Sequence, residues 1–321
     1  MTVKLIASEI ANKFFFLSNL SNWHFSCTPY FNEDWLSQTG PLTPKEQAVL
    51  NDFAKVLKKH GFEDYIGKYF FSDDSSNIWE TLKKNVAASD FNIIESCFTV
   101  FEPRFQRIWV SDKPNLLKWQ QKLDEILKSD VFKEPIKELT VFFGHAPQVE
   151  GTRLILLLST LNGGCGGSAM QELGCVMLEC SALPLNETNR LLRITLHELV
   201  HLVFSYGEYN ELLLQQGKTT EFKSVETRFN RPIQSILNEA VHASVVNAYL
   251  GDKYFQGDVK TKARILFNSA SPASQFENYW HWEVFISAEM MNTVASYIKG
   301  GKSVDENFIF EIKEKLKRFQ N

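Results

Sequence analysis

Cysteine is scarce in this sequence of 321 residues, and its five cysteines are scattered. No Cys-x-x-Cys pair occurs, and the spacings of Cys165, Cys175 and Cys180 match no zinc-binding pattern. An odd, dispersed set does not indicate a disulfide framework. Together with Cys27 and Cys97, these residues are expected to be reduced thiols in a reducing compartment.

Long apolar runs are also missing. No uninterrupted stretch approaches the roughly 18 apolar residues that a membrane-spanning helix needs. The segment from Met1 to Glu9 carries an acid early and has no sustained apolar part, so no Sec-type signal peptide is predicted. We expect a cytoplasmic protein without a membrane span, although a non-classical secretion route leaves no sequence pattern to test.

The chain lacks a strong net charge. It holds 34 Lys and Arg residues against 38 Asp and Glu residues, a formal net charge of -4. Such a balance offers no basic surplus for phosphate contacts, so no nucleic-acid partner is expected. With 44% apolar and 22% charged residues, the composition is that of a globular protein of one large or two ordinary domains.

Helical patterns dominate residues 1–135. Thr43-Pro44-Lys45-Glu46 is a capping box with proline at the first helical position, and its helix is expected to end at His60, before Gly61. Further helices are predicted over about 5–20, 73–86, 90–102 and 115–128, and no strand is predicted before residue 137. We therefore predict a mostly helical N-terminal domain over 1–135.

The pattern changes in residues 136–321. Strands are predicted over 138–143, 152–159 and 174–180, and the second is apolar enough to be buried on both faces. Helices are predicted over about 187–206, 232–251, 273–298 and 304–319. The expected fold class is α+β, with a small mixed sheet and C-terminal helices in 136–321, after a helical N-terminal domain.

The motif His197-Glu198-Leu199-Val200-His201 lies within the first of these helices. Histidines at positions i and i+4 share one helix face, so both imidazoles can reach one zinc ion. Glu198 can instead reach a water in the open position of the metal and act as its general base. The alternative is a buried structural helix whose two histidines have polar partners.

A third protein ligand must come from outside the motif. The metzincin pattern fails, because Phe204 and Gly207 occupy its glycine and histidine positions. Glu239 is the strongest candidate, since it lies in an apolar helical segment where an unpaired charge is costly. The alternative for Glu239 is an ordinary acid on a helix surface.

His197-Glu198-Leu199-Val200-His201 followed by Asn238-Glu239 resembles the gluzincin metallopeptidases of the thermolysin and aminopeptidase type. The resemblance covers roughly residues 137–250 and implies a zincin-like catalytic domain. It also implies that His197, His201 and Glu239 bind Zn²⁺ and that Glu198 is the general base. The chain departs from thermolysin-like enzymes at Ala243, where they carry an acid that orients a zinc-bound histidine; His242 and Asn238 remain the alternatives for that role.

The resemblance implies further parts of an active site. Residues 174–180 are expected to form a sheet edge beside the motif helix, where an extended peptide could add as a strand; a plain internal strand is the alternative. Tyr279 or His281 is the candidate donor to the oxyanion, with Tyr206 and Tyr209 as rivals and aromatic core packing as the alternative. The glycine cluster at 163–167 is not a P-loop and is interpreted as a flexible connector.

The sequence therefore predicts a zinc-dependent metallopeptidase that hydrolyses peptide bonds with a metal-activated water and Glu198 as base. The Gly-x-Met-x-Asn motif, which aminopeptidases of this class use to hold a free amino terminus, is absent from the third-strand region, and this favours an endopeptidase. The expected partner is a peptide or protein substrate. The alternatives are a metal-binding scaffold or interaction protein without turnover, and a helical binding protein without metal.

Overall fold

The computed structural model describes residues 3–24, 26–62, 64–71, 77–148, 150–162, 165–218, 221–267 and 279–317. For 265–267, Tyr279 and Trp280 it describes the backbone alone. Within these ranges the chain is mostly helical and contains a small four-stranded mixed sheet. The expected α+β class is confirmed at this level.

The first half of the chain is largely helical. Its elements in order are β1 (Lys4–Ile6), α1 (Glu9–Leu20), α2 (Pro29–Thr39), α3 (Pro44–His60), α4 (Gly67–Phe70), α5 (Ile78–Asn85), α6 (Ala88–Leu127) and α7 (Asp130–Phe143). The predicted capping box of α3 is confirmed: Thr43 and Glu46 bond reciprocally, and Gly61 follows the last turn with a positive φ of 61°.

The second half holds the remaining strands and ten more helical elements among the described residues. They are β2 (Arg153–Leu157), β3 (Gly166–Met170), a single 3₁₀ turn (Gln171–Leu173), β4 (Cys175–Glu179), α8 (Thr188–Val203), α9 (Gly207–Gln216), α10 (Lys223–Phe229), α11 (Ile233–His242), a π-helical segment (Ala243–Leu250), α12 (Gly251–Tyr254), α13 (Val259–Phe267), α14 (Tyr279–Lys299) and α15 (Glu306–Leu316).

The strand predicted over 138–143 is wrong, because these residues form the end of helix α7. The segment Leu139-Thr140-Val141-Phe142-Phe143 is rich in residues typical of strands. Its burial nevertheless follows a helix: Phe132, Leu139, Phe142 and Phe143 are buried, whereas Val141 is exposed. Packing of one helical face has overridden local β propensity.

Helix α6 also differs from its prediction. Two helical patterns were expected, ending and restarting near Pro103 and Pro114, but the helix runs unbroken for 40 residues with both prolines inside it. A proline removes one backbone hydrogen bond and normally kinks or ends a helix. Here Phe101, Phe105 and Trp119 are fully buried along the same helix, so core packing supports its continuity.

The sheet has the strand order β1-β2-β4-β3. Strands β1, β2 and β4 run parallel, and β3 pairs antiparallel with β4. As predicted, β2 is almost completely buried from Leu154 to Leu157. Two expectations are wrong. A strand, β1, precedes residue 137 and includes Leu5 and Ile6, which were expected to begin a helix. Strand β4 is internal to the sheet, so 174–180 is not a sheet edge.

The chain divides into two compact units, each assembled from separate segments. One comprises Thr2–Glu125 and Gly151–Glu187 and contains the whole sheet. The other comprises Ile126–Glu150 and Thr188–Asn321 and contains the motif helix α8. The sheet thus groups with the N-terminal helices, whereas the predicted domains, 1–135 and 136–321, placed it with the motif.

Inside the unit that contains the sheet, α1 packs on β2. The buried side chain of Asn12 donates to the Leu156 carbonyl and accepts from the Leu158 backbone N–H, which ties the helix to the end of this strand. In the other unit, α14 packs along the π-helical segment, which also contacts α8 and α11. These helices form the framework of the candidate site.

Candidate metal centre

Helix α8 positions both motif histidines. Its apolar face is fully buried, and this anchors the helix in the core of its unit; the buried apolar side chains are Leu191, Leu192, Leu196, Leu199, Val200 and Val203. His197 and His201 lie one turn apart with side chains only 12% and 14% exposed. Their Nε2 atoms are 3.2 Å apart, so both rings point towards one place.

Helix α11 brings Glu239 to the same place. Its Oε2 atom lies 3.4 Å from Nε2 of His197 and 3.4 Å from Nε2 of His201. Each of the three residues offers one ligand atom to a group that could hold a metal ion. The structure thus brings together the two histidines and the third ligand predicted from sequence, and the geometry specifies no particular ion.

The other oxygen of Glu239 faces a cation. Its Oε1 atom lies 4.0 Å from the Nη1 atom of Arg231, so the two carboxylate oxygens have different neighbours. Burial opposes ionisation, but hydrogen bonds from His197 and His201 hold the pKa of Glu239 well below its usual range. Glu239 is therefore an anion at neutral pH, as a carboxylate ligand must be.

His197 is influenced by several acids. Burial by itself lowers the pKa of this imidazole, but the hydrogen bond to Glu239 and the charges of Glu198, Glu239 and Glu283 raise it to about 9. Its Nδ1 atom is buried and has no hydrogen-bond partner within the described ranges. The polar contacts of His197 are therefore made by Nε2, the ring nitrogen that faces His201 and Glu239.

His201 has partners at its other nitrogen. Its Nδ1 atom lies 3.0 Å from Nδ1 of His242, and Nε2 of His242 lies 3.3 Å from Oγ of Ser205. Burial, with the positive charges of His201 and His197, lowers the pKa of His242 far below its usual value, so His242 is neutral.

One neutral tautomer of His201 fits its contacts with His242. His201 donates its Nδ1–H to Nδ1 of His242, and His242 donates its Nε2–H to Ser205. In this tautomer Nε2 of His201 carries the lone pair that a metal ligand needs, whereas the protonated ring donates from Nε2 to Glu239. On the other flank, Asn238 lies 3.4 Å from the same Nδ1 and accepts a 2.8 Å hydrogen bond from the Tyr209 hydroxyl. Both sequence candidates for the orienting role, His242 and Asn238, thus contact His201.

Glu198 lies beside the three candidate ligands. It is half-buried and lies near enough to His197 to influence its pKa. Within the described residues, its carboxylate takes part in no hydrogen bond or ion pair. It can therefore bind a water or a reacting proton next to the cluster.

Glu283 is a site residue that sequence reasoning missed. It lies on α14, its Oε1 atom accepts a 3.0 Å hydrogen bond from Asn247, and its charge acts on His197. Burial, together with the charge of Glu239, raises the pKa of Glu283. The signal that singled out Glu239 was also present here, since Glu283 sits between buried Trp282 and Val284 in an apolar helix.

The two candidate oxyanion donors begin helix α14. The side chain of Tyr279 lies outside the described residues. His281 is half-buried, two residues before Glu283 on the same helix. The rivals have other roles: Tyr206 donates to the Ala146 carbonyl, and buried Tyr209 donates to Asn238. The assignments of Tyr279 and His281 stay predictions.

Comparison of the chain with known protein families, with curated proteins and with solved structures finds no match. The gluzincin resemblance consequently rests on the motif residues and their geometry. Over the described residues, no helix is both long and apolar enough to span a membrane.

Proposed function

We propose that this protein is a zinc-dependent metallopeptidase. The observation that carries the proposal is the triangle of donor atoms, with sides of 3.2, 3.4 and 3.4 Å, formed by Nε2 of His197, Nε2 of His201 and Oε2 of Glu239. Zinc binds such atoms at about 2.0–2.2 Å in a tetrahedron, which separates neighbouring ligand atoms by about 3.3 Å. The triangle thus has the size of one face of a zinc tetrahedron.

The donor chemistry supports the same proposal. Two imidazoles and one carboxylate are a ligand set used by catalytic zinc, which keeps its fourth position open to water. Zinc bound there supplies an acidified water and polarises the scissile carbonyl. When the Nδ1–H of His201 donates to Nδ1 of His242, the Nε2 lone pair of His201 is available as a ligand.

Glu198 provides the acid–base function in this proposal. As a carboxylate with no competing hydrogen bond among the described contacts, it accepts a proton from the attacking water and delivers it to the leaving amine. A site that only binds metal has no need of such a base. This is the reason to prefer a peptidase over the alternative, a metal-binding scaffold without turnover. The missing Gly-x-Met-x-Asn motif supports an endopeptidase in particular.

The proposal is tested with a Glu198→Gln variant, using metal analysis and hydrolysis of a library of peptides blocked at both ends. We expect about one equivalent of zinc in both the wild type and the variant, because Glu198 is not a ligand. Hydrolysis should fall by about a hundredfold or more, the usual contribution of a general base.

Glu208→Gln is the matched control, since Glu208 is an exposed acid at the start of α9. It should retain both zinc and full activity. Undiminished hydrolysis by Glu198→Gln would refute the mechanism. Bound zinc without hydrolysis in the wild type would favour the scaffold, and a wild type that binds no metal would refute both.

A further inference from the structure

The unit that contains the sheet has a cavity of about 350 Å³ that is separate from the metal centre. Its walls come from α1, the loop that follows it, the residues after α3, the edge strand β3 and its neighbour β4. This volume suits one small molecule or one long side chain. Its lining combines aromatic rings with carboxylates.

Three aromatic residues line one side of this cavity. The ring centroids of Trp23, Phe62 and Tyr65 form a triangle with sides of 5.1, 5.9 and 6.1 Å, and the planes of Trp23 and Tyr65 differ by only 23°. We call these three residues the aromatic wall. Phe62 is 52% exposed although it is a large apolar side chain, so part of the wall is open to an incoming ligand.

Carboxylates also line the cavity. Glu179 on β4 is half-buried, and Glu172 in the 3₁₀ turn is exposed. Within the described part of the chain, the cavity lining contains no lysine or arginine, and burial lowers the pKa of its one basic side chain, His24. Gly166 on β3 leaves room for Glu179, because a Cβ atom there would lie only 2.6 Å from its Oε2 atom. The local charge is therefore negative beside an aromatic surface.

We propose that this cavity binds an organic cation. Aromatic faces attract ammonium and guanidinium groups through their quadrupoles, and the carboxylates add Coulomb attraction in a partly desolvated site. The ligand is an alkylammonium group, carried either by a free small molecule or by a basic side chain of a peptide. The proposal does not depend on the peptidase activity.

The test uses calorimetry on the full chain with two pairs of probes. The first pair is choline and its uncharged analogue 3,3-dimethylbutanol. The second pair is Nα-acetyl-lysine methylamide, which keeps its ε-ammonium group, and the corresponding norleucine derivative. In at least one pair, the cation should bind roughly tenfold or more tightly than its neutral partner. Tighter binding of choline assigns the site to a small cation, and tighter binding of the lysine derivative assigns it to a peptide side chain.

Phe62→Ala and Glu172→Gln each change an exposed residue of the site and should weaken binding of the cation by about fivefold to tenfold. Tyr30→Ala is the matched control, because Tyr30 is 60% exposed in the same unit but does not line the cavity. Its affinity should equal that of the wild type. Equal binding of cations and neutral analogues in both pairs, or unchanged affinity in Phe62→Ala, would overturn the proposal.

Discussion

At the residue scale, the side chain closest to Nδ1 of His201 among its described hydrogen-bond contacts is a histidine. Thermolysin-like enzymes use an acid four residues after the ligand glutamate, and this chain has buried Ala243 there. His242, one residue earlier, contacts Nδ1 of His201 at 3.0 Å and is itself fully buried. A neutral imidazole can accept the same hydrogen bond as a carboxylate, but it adds no negative charge to the site.

This contact predicts the effect of His242→Ala on zinc binding. Loss of a partner that orients a ligand histidine typically weakens metal affinity by 10–100-fold, and we expect a loss of about that size here. Affinity is measured by competition with a chromophoric chelator. Ser205→Ala, which removes only the next hydrogen bond in the chain, should have a smaller effect. Equal affinities of wild type and His242→Ala, with an intact fold by circular dichroism, would contradict the role.

At the element scale, helix α3 is joined to α6 through its cap. Glu46 closes the capping box with Thr43, and Arg104 on α6 donates to both of its oxygens, at 2.5 and 2.9 Å. The Arg104 hydrogen bonds and those from Thr43 outweigh the effect of burial and lower the pKa of Glu46 from 4.5 to about 2.

The lowered pKa predicts how the contribution of Glu46 to stability depends on pH. Because the folded pKa is lower than the unfolded one, the contribution is fully present above about pH 4.5 and is lost as the pH falls towards about 2. The measurement is the difference in the free energy of unfolding between wild type and Glu46→Gln across this range. Glu33→Gln, which removes an exposed acid on α2, is the matched control for the loss of one carboxylate.

Some helices and strands were predicted correctly from sequence patterns alone. The cap of α3, the apolar strand β2 and the motif helix α8 depend on local hydrogen bonding and periodicity, and each was predicted close to its place. The end of helix α7 and the unbroken course of helix α6 were not predicted. Their deciding contacts come from core packing, which lies outside any short sequence window.

At the scale of the whole molecule, the proposed zinc would join two helices. His197 and His201 lie on α8 and Glu239 on α11, within one compact unit. An ion that binds the folded state and not the unfolded one stabilises it by mass action, by about 2.7 kcal/mol at a free concentration a hundredfold above Kd.

We therefore expect zinc to raise the melting temperature of the wild type and a chelator to reverse the change. Hydrogen exchange should locate the added protection in α8 and α11. Glu239→Gln should lose most of the effect, whereas the surface variant Glu208→Gln should keep it. An equal rise in Glu239→Gln would show that zinc stabilises the chain elsewhere.

The sequence alone singled out His197, His201, Glu198 and Glu239, because spacing on a helix and the cost of a charge in an apolar segment are local properties. It did not determine the partners of those residues. Contacts of His242 with His201 and of Glu283 with the charge of His197 join residues 41 and 86 positions apart, and only packing of the helices creates them. Tertiary structure likewise placed the sheet with the N-terminal helices and put β4 inside it, since strand order depends on long-range pairing.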